Sequence, residues 1–108
     1  MKVFGINFNE DSHVFTLKIE KDHTKININN FDIYSLQDLI KKLDSSINKF
    51  SIECGFDRTK IIYRKKSDMS ILTITSHDGD LEFIIEMSLI EKYELINLLR
   101  EIRRDLIF

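Results

Sequence analysis

The sequence predicts an α+β fold in which antiparallel strands form meanders and two helices follow them. Three features support this prediction: a hairpin signal at Asp78-Gly79, a second tight turn at Ser67-Asp68, and an amphipathic segment after Ser88. Asp-Gly favours a type I′ turn, because that turn needs positive φ at both central residues. Both turns lie between apolar-rich runs, so residues 60–87 are predicted to form three antiparallel strands.

The two turns fix a register, and the register assigns each side chain to one face of the sheet. Ile74 lies opposite Phe83, and Leu72 lies between Tyr63 and Ile85. The face predicted to be buried consists of Ile61, Tyr63, Leu72, Ile74, Leu81, Phe83, Ile85 and Met87. Two turns identified independently therefore predict the same buried face.

The opposite face of this sheet mixes apolar and charged side chains. It carries Ile62, Arg64, Lys66, Ile71, Thr73, Thr75, Glu82, Ile84 and Glu86. Ile62, Thr73 and Ile84 form a row across three strands, whereas a face in contact with water is ordinarily polar. We expect another element, such as the first helix, to cover part of this row; the alternative is that a partner docks on it.

The C-terminal segment has the features of a capped amphipathic helix. Ser88 and Glu91 have the spacing of a capping box, and the apolar stripe consists of Leu95, Leu98, Leu99, Ile102 and Leu106. Arg100, Arg103 and Arg104 lie towards the C-terminus, where cations favour the helix dipole. A phosphate-binding cluster is the alternative interpretation of these arginines.

The first half of the chain resembles the second half. A four-residue turn over residues 9–12 predicts a hairpin that pairs Phe4 with Leu17 and Ile6 with Phe15, and a turn at residues 21–24 leads to a short third strand. This order gives a possible βββα-βββα pseudo-repeat. Duplication and convergence of two amphipathic helices explain it equally well.

Ser35 is predicted to be the N-cap of the first helix, with Asp38 at the third helical position. Tyr34 is expected to pack onto Leu39 as a hydrophobic staple. The predicted apolar stripe consists of Leu36, Leu39, Ile40, Leu43, Ile47 and Phe50.

Length and composition are typical of a folded globular domain. The 108 residues are 43% hydrophobic and 31% charged, with a net charge of −2, which predicts a single domain over residues 1–108. No apolar run approaches the roughly 18 residues that span a bilayer. The single Cys54 cannot form an internal disulfide, so we expect a reducing, cytoplasmic location and a packed thiol.

No group of residues has the spacing of a catalytic, cofactor or metal site. His13, His23 and His77 are scattered along the chain, whereas a metal site needs three or four ligands. Glu82 and Glu86 lie roughly 13 Å apart by strand rise, which is too far for an acid–base pair across a glycosidic bond. We therefore expect no enzyme activity, no cofactor and no metal.

Acidic residues beside the apolar row are the best candidates for a partner-binding surface. An acidic rim around an apolar centre steers and docks basic proteins. The candidate residues are Asp78, Asp80, Glu82, Ile84, Glu86, Ile62 and Ile71. An ordinary solvated hairpin is the alternative explanation of the same residues.

The chain has the general character of a bacterial immunity protein. It resembles the immunity proteins of polymorphic-toxin and contact-dependent growth-inhibition systems as a small acidic α+β chain with a hairpin over Met69–Met87 and a terminal helix over Ser88–Leu106. The resemblance includes no diagnostic motif, so it gives no residue a role. It implies a stoichiometric inhibitor that binds a cognate toxin, often a basic nuclease, and occludes its active site.

Two other function classes remain open. A basic run around Tyr63 (Arg58, Lys60, Arg64, Lys65 and Lys66) is compatible with a single-stranded nucleic-acid-binding module that resembles Whirly or PUR-type domains. The register places Tyr63 on the buried face and sets the run beside an acidic hairpin, so charge compensation also explains it. The third class is a small adaptor or oligomerisation domain.

Overall fold

A computed structural model describes residues 3–54 and 58–106 and confirms the α+β fold class. The strands are β1 (Phe4–Asn9), β2 (Val14–Lys21), β3 (Thr24–Phe31), β4 (Lys49–Cys54), β5 (Thr59–Lys66), β6 (Met69–Thr75) and β7 (Glu82–Met87). The helices are α1 (Ile33–Leu43) and α2 (Leu89–Leu106). The strands form two antiparallel sheets, one with the order β1-β2-β3 and one with the order β4-β5-β6-β7.

The register predicted for β5, β6 and β7 is confirmed. Ile74 pairs with both Ile61 and Phe83, and Leu72 pairs with Tyr63 and Ile85. The inner face is buried at Ile61, Tyr63, Leu72, Ile74, Ile85 and Met87. Burial of Leu81 was a wrong expectation, because Leu81 precedes β7 and is 60% exposed. Phe83 lies next to the β6–β7 turn and is 36% exposed, so its predicted burial was also wrong.

The hairpin between β6 and β7 has the predicted register but not the predicted type I′ turn. Gly79 has a φ of 80°, whereas Asp78 is not among the residues with positive φ. The Gly79 amide instead donates to the Ser76 carbonyl at 3.0 Å, so His77 and Asp78 are the central residues of that turn. Positive φ at both central residues occurs at Asp22 and His23, in the turn between β2 and β3.

The pairing predicted for β1 and β2 was wrong by two residues. Phe4 pairs with Ile19 and Ile6 with Leu17, because Asn9 is the last residue of β1 and its side chain accepts the amides of Asp11 and Ser12. The four-residue loop therefore spans residues 10–13 instead of 9–12. Each residue of β1 consequently pairs with the β2 residue two positions later than predicted. Since side chains alternate with period two, the shift leaves every residue on its predicted face.

Strand β4 was not predicted, because its residue Phe50 fits the apolar stripe predicted for the first helix. Helix α1 ends at Leu43, and Phe50, Ile52 and Cys54 alternate with exposed residues in β4. Ile47 lies between these elements and is 45% exposed. The second half of the chain thus contains four strands and the first half three, so the βββα-βββα pseudo-repeat is not confirmed.

Helix α1 begins three residues earlier than predicted. Asp32 is its N-cap and accepts the Ser35 amide at 3.2 Å, so Ser35 lies inside the first turn. Tyr34 is 77% exposed and is not a staple. The buried stripe of the helix is confirmed at Leu36, Leu39, Ile40 and Leu43.

Replacing Asp32 by alanine is expected to lower the free energy of unfolding by about 1 kcal/mol, because the Ser35 amide loses its acceptor. Ser35→Ala is the matched control and should change stability by less than about 0.5 kcal/mol, since no cap is removed. Urea denaturation followed by circular dichroism measures both variants. A larger loss in Ser35→Ala than in Asp32→Ala would restore Ser35 as the cap.

Helix α2 has the predicted capping box. The Ser88 amide donates to Glu91 at 2.8 Å, and the Glu91 amide donates to the Ser88 hydroxyl at 3.2 Å. Leu95 and Leu99 are buried as predicted, Leu98 and Ile102 are partly buried, and Ile96 is a buried residue that the predicted stripe omitted. The predicted stripe residue Leu106 and the arginines Arg103 and Arg104 have side chains outside the described part of the structure.

The buried side chains of both sheets and both helices belong to one hydrophobic core. Helix α2 packs against α1 and against strands of both sheets. The salt bridge from Lys21 to Glu91, with 2.8 Å between Nζ and Oε1, joins the end of β2 to the first turn of α2. Neither helix of the described chain is long and apolar enough to cross a membrane.

Acid is expected to weaken the junction between β2 and α2. Burial opposes the ionisation of Glu91, but hydrogen bonds from Lys21 and Ser88 outweigh burial and hold the Glu91 pKa below its usual value. A carboxylate with a lowered pKa contributes stability above its unfolded-state pKa, and this contribution is lost as pH falls through the folded-state pKa. Glu91→Gln should therefore show a shallower loss of melting temperature below about pH 4.5 than the wild-type chain. An identical acid profile in Glu91→Gln would contradict this role.

Candidate protein-docking surface

The outer face of the four-stranded sheet brings most of the candidate residues together. Ile62, Thr73 and Ile84 are paired across β5, β6 and β7, and Arg64, Ile71 and Glu86 form the adjacent row. We define the outer sheet face as the outward residues of these three strands: Lys60, Ile62, Arg64, Lys66, Met69, Ile71, Thr73, Thr75, Glu82, Ile84 and Glu86. Because neighbouring strands lie about 4.8 Å apart, the three-strand row is roughly 10 Å wide between backbones.

No helix covers the outer sheet face within the described structure, so the expectation that the first helix would cover it was wrong. Helix α1 packs against β4 and α2, and the buried residues of β5–β7 lie on the opposite, inner side. Ile84 is 64% exposed, and Ile62 and Ile71 are partly exposed. The apolar row is therefore accessible to a partner.

The three-stranded sheet provides an internal comparison, because its outer face is polar. The outward side chains of that sheet include Asn7, Thr16, Lys18, Glu20, Lys25, Asn27 and Asn29. Thr16 donates a hydrogen bond to Asn29 across the strands at 3.1 Å. This pattern is expected of a sheet face in contact with water alone, and the outer sheet face of β5–β7 departs from it.

Charge is distributed unevenly over the outer sheet face. Lys60, Arg64 and Lys66 lie on β5, whereas Glu82 and Glu86 lie on β7, with apolar side chains between them. Within the described chain, the carboxylates of Glu82 and Glu86 form no salt bridge. These two carboxylates are therefore available to a basic group of a partner.

The two remaining candidate carboxylates, those of Asp78 and Asp80, lie in the β6–β7 turn. Hydrogen bonds from the Ser76 hydroxyl and from the Asp80 amide lower the pKa of the Asp78 carboxyl. The carboxylate of Asp78 thus stabilises the turn itself. Asp80 is exposed and lies two residues before Glu82, the first residue of β7.

The basic run on β5 does not include an exposed aromatic ring. Tyr63 is fully buried, stacks on Phe50 with 4.9 Å between ring centroids, and lies within hydrogen-bond distance of Ser70. Lys92 donates to the Tyr63 hydroxyl at 2.8 Å. The ring is therefore part of the core, as the register predicted, and cannot stack on a nucleic-acid base.

Cys54 and the three histidines form no chemical centre in the described residues. Burial, with a smaller contribution from the charge of Asp32, raises the pKa of the Cys54 thiol to about 12, and its Sγ donates to the Thr59 carbonyl at 3.3 Å. The thiol is packed, as predicted. The part of the chain that the structure describes contains no cluster of His, Cys, Asp and Glu able to hold a metal ion.

A second apolar patch at the start of α2 was not predicted from the sequence. Leu89, Ile90 and Tyr93 are each more than half exposed. Their spacing places them on one side of the helix, away from buried Leu95 and Leu99, and buried Ile96 lies at the border of the patch, three residues after Tyr93. The signal was present in the sequence, because these residues lie outside the stripe that fits the core.

Comparison of the chain with protein-family models, curated proteins and solved structures finds no match.

Proposed function

We propose that this chain is a protein-binding inhibitor of the immunity type, which neutralises a basic toxin by covering it with the outer sheet face. The proposal rests on one observation: the outer sheet face of β5–β7 is open and apolar at its centre, whereas the outer face of the three-stranded sheet is polar. An exposed apolar patch bordered by charged residues is typical of protein-docking sites.

The charges of β7 define the partner. Glu82 and Glu86 border exposed Ile84 and have no salt-bridge partners in the described chain. A partner with lysine or arginine at matching positions is therefore attracted to this face and is aligned on it by the two ion pairs. A nuclease toxin has such a surface, because it must attract the phosphates of its substrate. An inhibitor of this kind needs no catalytic group, since occlusion of the toxin's active site is sufficient.

Growth protection tests the proposal. The proposal predicts that a secreted toxin is encoded beside this chain, and that co-expression of its toxic domain with the wild-type chain restores growth. The triple variant Asp80→Lys, Glu82→Lys and Glu86→Lys should lose protection, because it reverses the charge that attracts the toxin.

A matched triple variant, Glu10→Lys, Asp11→Lys and Glu20→Lys, changes the net charge equally but lies on the three-stranded sheet and its β1–β2 loop. It should protect like the wild-type chain. Loss of protection in this control alone, or no protection by the wild-type chain, would contradict the proposal. Tight, salt-sensitive binding of single-stranded DNA by the purified chain would instead favour the nucleic-acid module.

A further inference from the structure

We propose that β7 binds its partner by strand addition, so that an extended basic segment of the partner becomes a fifth strand of the sheet. This inference rests on the proposed function and specifies how the partner is held. Strand addition combines main-chain hydrogen bonds with side-chain recognition at alternate positions.

The free edge of β7 can be identified from its hydrogen-bonding pattern. β7 is the last strand of its sheet and pairs only with β6 in the described structure. The Ser76 amide donates to the Leu81 carbonyl at 2.9 Å, and hydrogen-bonded pairs alternate along an antiparallel ladder. The main-chain groups of Phe83 and Ile85 therefore point towards β6, while those of Glu82 and Ile84 point outward.

Lys21 both supports this assignment and sets the length of the free edge. Its Nζ donates to the Glu86 carbonyl at 2.5 Å, which shows that this carbonyl also points away from β6. The open edge consequently ends at Glu86, and the main-chain groups left open in the described structure are the N–H and C=O of Glu82 and Ile84 and the N–H of Glu86. An open cleft of about 240 Å³ lies at this end, lined by Lys21, Asp22, Thr24, Ile84, Ile85 and Glu86.

The edge strands β3 and β4 differ from β7 in the side chains that they expose. The outward residues of β4 are Lys49, Ser51 and Glu53, and those of β3 include Lys25, Asn27 and Asn29. Polar and charged side chains, lysine above all, discourage pairing at a sheet edge. β7 instead exposes Ile84, with Leu81 and Phe83 close by in the chain.

The side chains of β7 specify the occupant. Glu82, Ile84 and Glu86 alternate on the outer sheet face, and cross-strand neighbours of opposite charge stabilise a strand pair. The complementary segment has lysine or arginine, an apolar residue, and lysine or arginine at alternate positions. This pattern is the same in both chain directions, so it fits a parallel or an antiparallel strand.

A second copy of the chain does not meet this requirement. Antiparallel pairing of two β7 strands centred on Ile84 places Glu82 of each copy opposite Glu86 of the other, and parallel pairing in register places each glutamate opposite itself. Like charges directly opposite each other destabilise a strand pair. The two glutamates therefore oppose self-association while they favour a basic segment.

A peptide tests strand addition directly. The probe is a short synthetic peptide with blocked ends in which Lys, Ile and Lys alternate with Thr; its control has Glu in place of both Lys. The first peptide should slow hydrogen exchange at the amides of Glu82 and Ile84 at millimolar concentration, while the control peptide should not. No change at these amides, or changes confined to the start of α2, would overturn strand addition.

Proline substitution separates strand addition from docking on the face. Ile84→Pro removes an amide that does not bond to β6 and blocks a fifth strand, whereas Ile84→Val retains the amide. Binding of the co-expressed toxin should fall roughly 30-fold or more in Ile84→Pro and less than about threefold in Ile84→Val. Melting curves check that both variants fold. If Ile84→Pro does not fold, the peptide experiment on the wild-type chain alone tests strand addition. Full toxin binding by folded Ile84→Pro, with loss in the charge-reversal triple variant, would overturn strand addition and leave the proposed function intact.

Discussion

Replacement of Phe31 by alanine is expected to lower the free energy of unfolding by about 3–5 kcal/mol. Phe31 is 0% exposed and stacks on Phe15, with 4.9 Å between ring centroids. Removing the ring loses its burial and leaves a cavity at the junction of β3 and α1. The loss is a large fraction of the 5–15 kcal/mol that stabilises a typical domain. Urea denaturation measures it.

Tyr34 provides the matched aromatic control, because it lies three residues later and is 77% exposed. Tyr34→Ala should change stability by less than about 0.5 kcal/mol. The core includes residues of both sheets. Phe31→Ala should therefore also speed hydrogen exchange of the amides in β5 and β6, because these amides exchange when the whole domain unfolds. A loss below about 1 kcal/mol, or an effect restricted to the three-stranded sheet, would contradict the single core.

The second large effect is expected on partner binding. Ile84→Asp should weaken the complex with the toxin at least about 30-fold, because the side chain at the centre of a docking surface contributes more than its neighbours. Its effect on folding should be about 1 kcal/mol or less, since Ile84 is mainly exposed. Calorimetric titration of the purified proteins measures the affinity.

Ile47→Asp is the control for Ile84→Asp. Ile47 is also a partly exposed isoleucine, but it lies between α1 and β4 and is not one of the residues that define the outer sheet face. This variant should bind the toxin within about threefold of the wild-type chain. Equal losses in the two variants would mean that added negative charge, and not the position of Ile84, governs binding.

The sequence predicted the β5–β7 sheet well because two independent signals agreed there. Turn residues set the pairing, and the alternation around Leu72 and Ile74 identified the buried face. In the first hairpin the alternation of Phe4 and Ile6 is compatible with two registers that differ by two residues. The register that forms depends on the Asn9 side chain, which accepts two loop amides.

Competing local signals explain the errors around α1. Asp32 and Ser35 are both good N-cap residues, and the structure uses the earlier one. Phe50 fits the spacing of the α1 stripe as well as the alternation of β4, so periodicity alone did not separate helix from strand. Since β4 then lies beside β5, this ambiguity also concealed a fourth strand.

The candidate site was only partly predictable for a related reason. Strand alternation placed Ile62, Ile71 and Ile84 on one face, and the registers confirm that placement. Whether a helix covers that face depends on tertiary packing, which no local pattern encodes. The patch formed by Leu89, Ile90 and Tyr93 was missed because the stripe analysis considered only the side of α2 that faces the core.

Isoleucine methyl signals in NMR spectra test most directly whether the outer sheet face binds the partner. The chain has 18 isoleucines, and they include Ile62, Ile71 and Ile84 on this face, Ile90 in the α2 patch, and Ile47 outside both. Titration with the toxin is predicted to shift the methyl signals of Ile62, Ile71 and Ile84 most strongly. Shifts concentrated at Ile90 or Ile47, with the signals of the outer sheet face unchanged, would contradict the proposed docking surface.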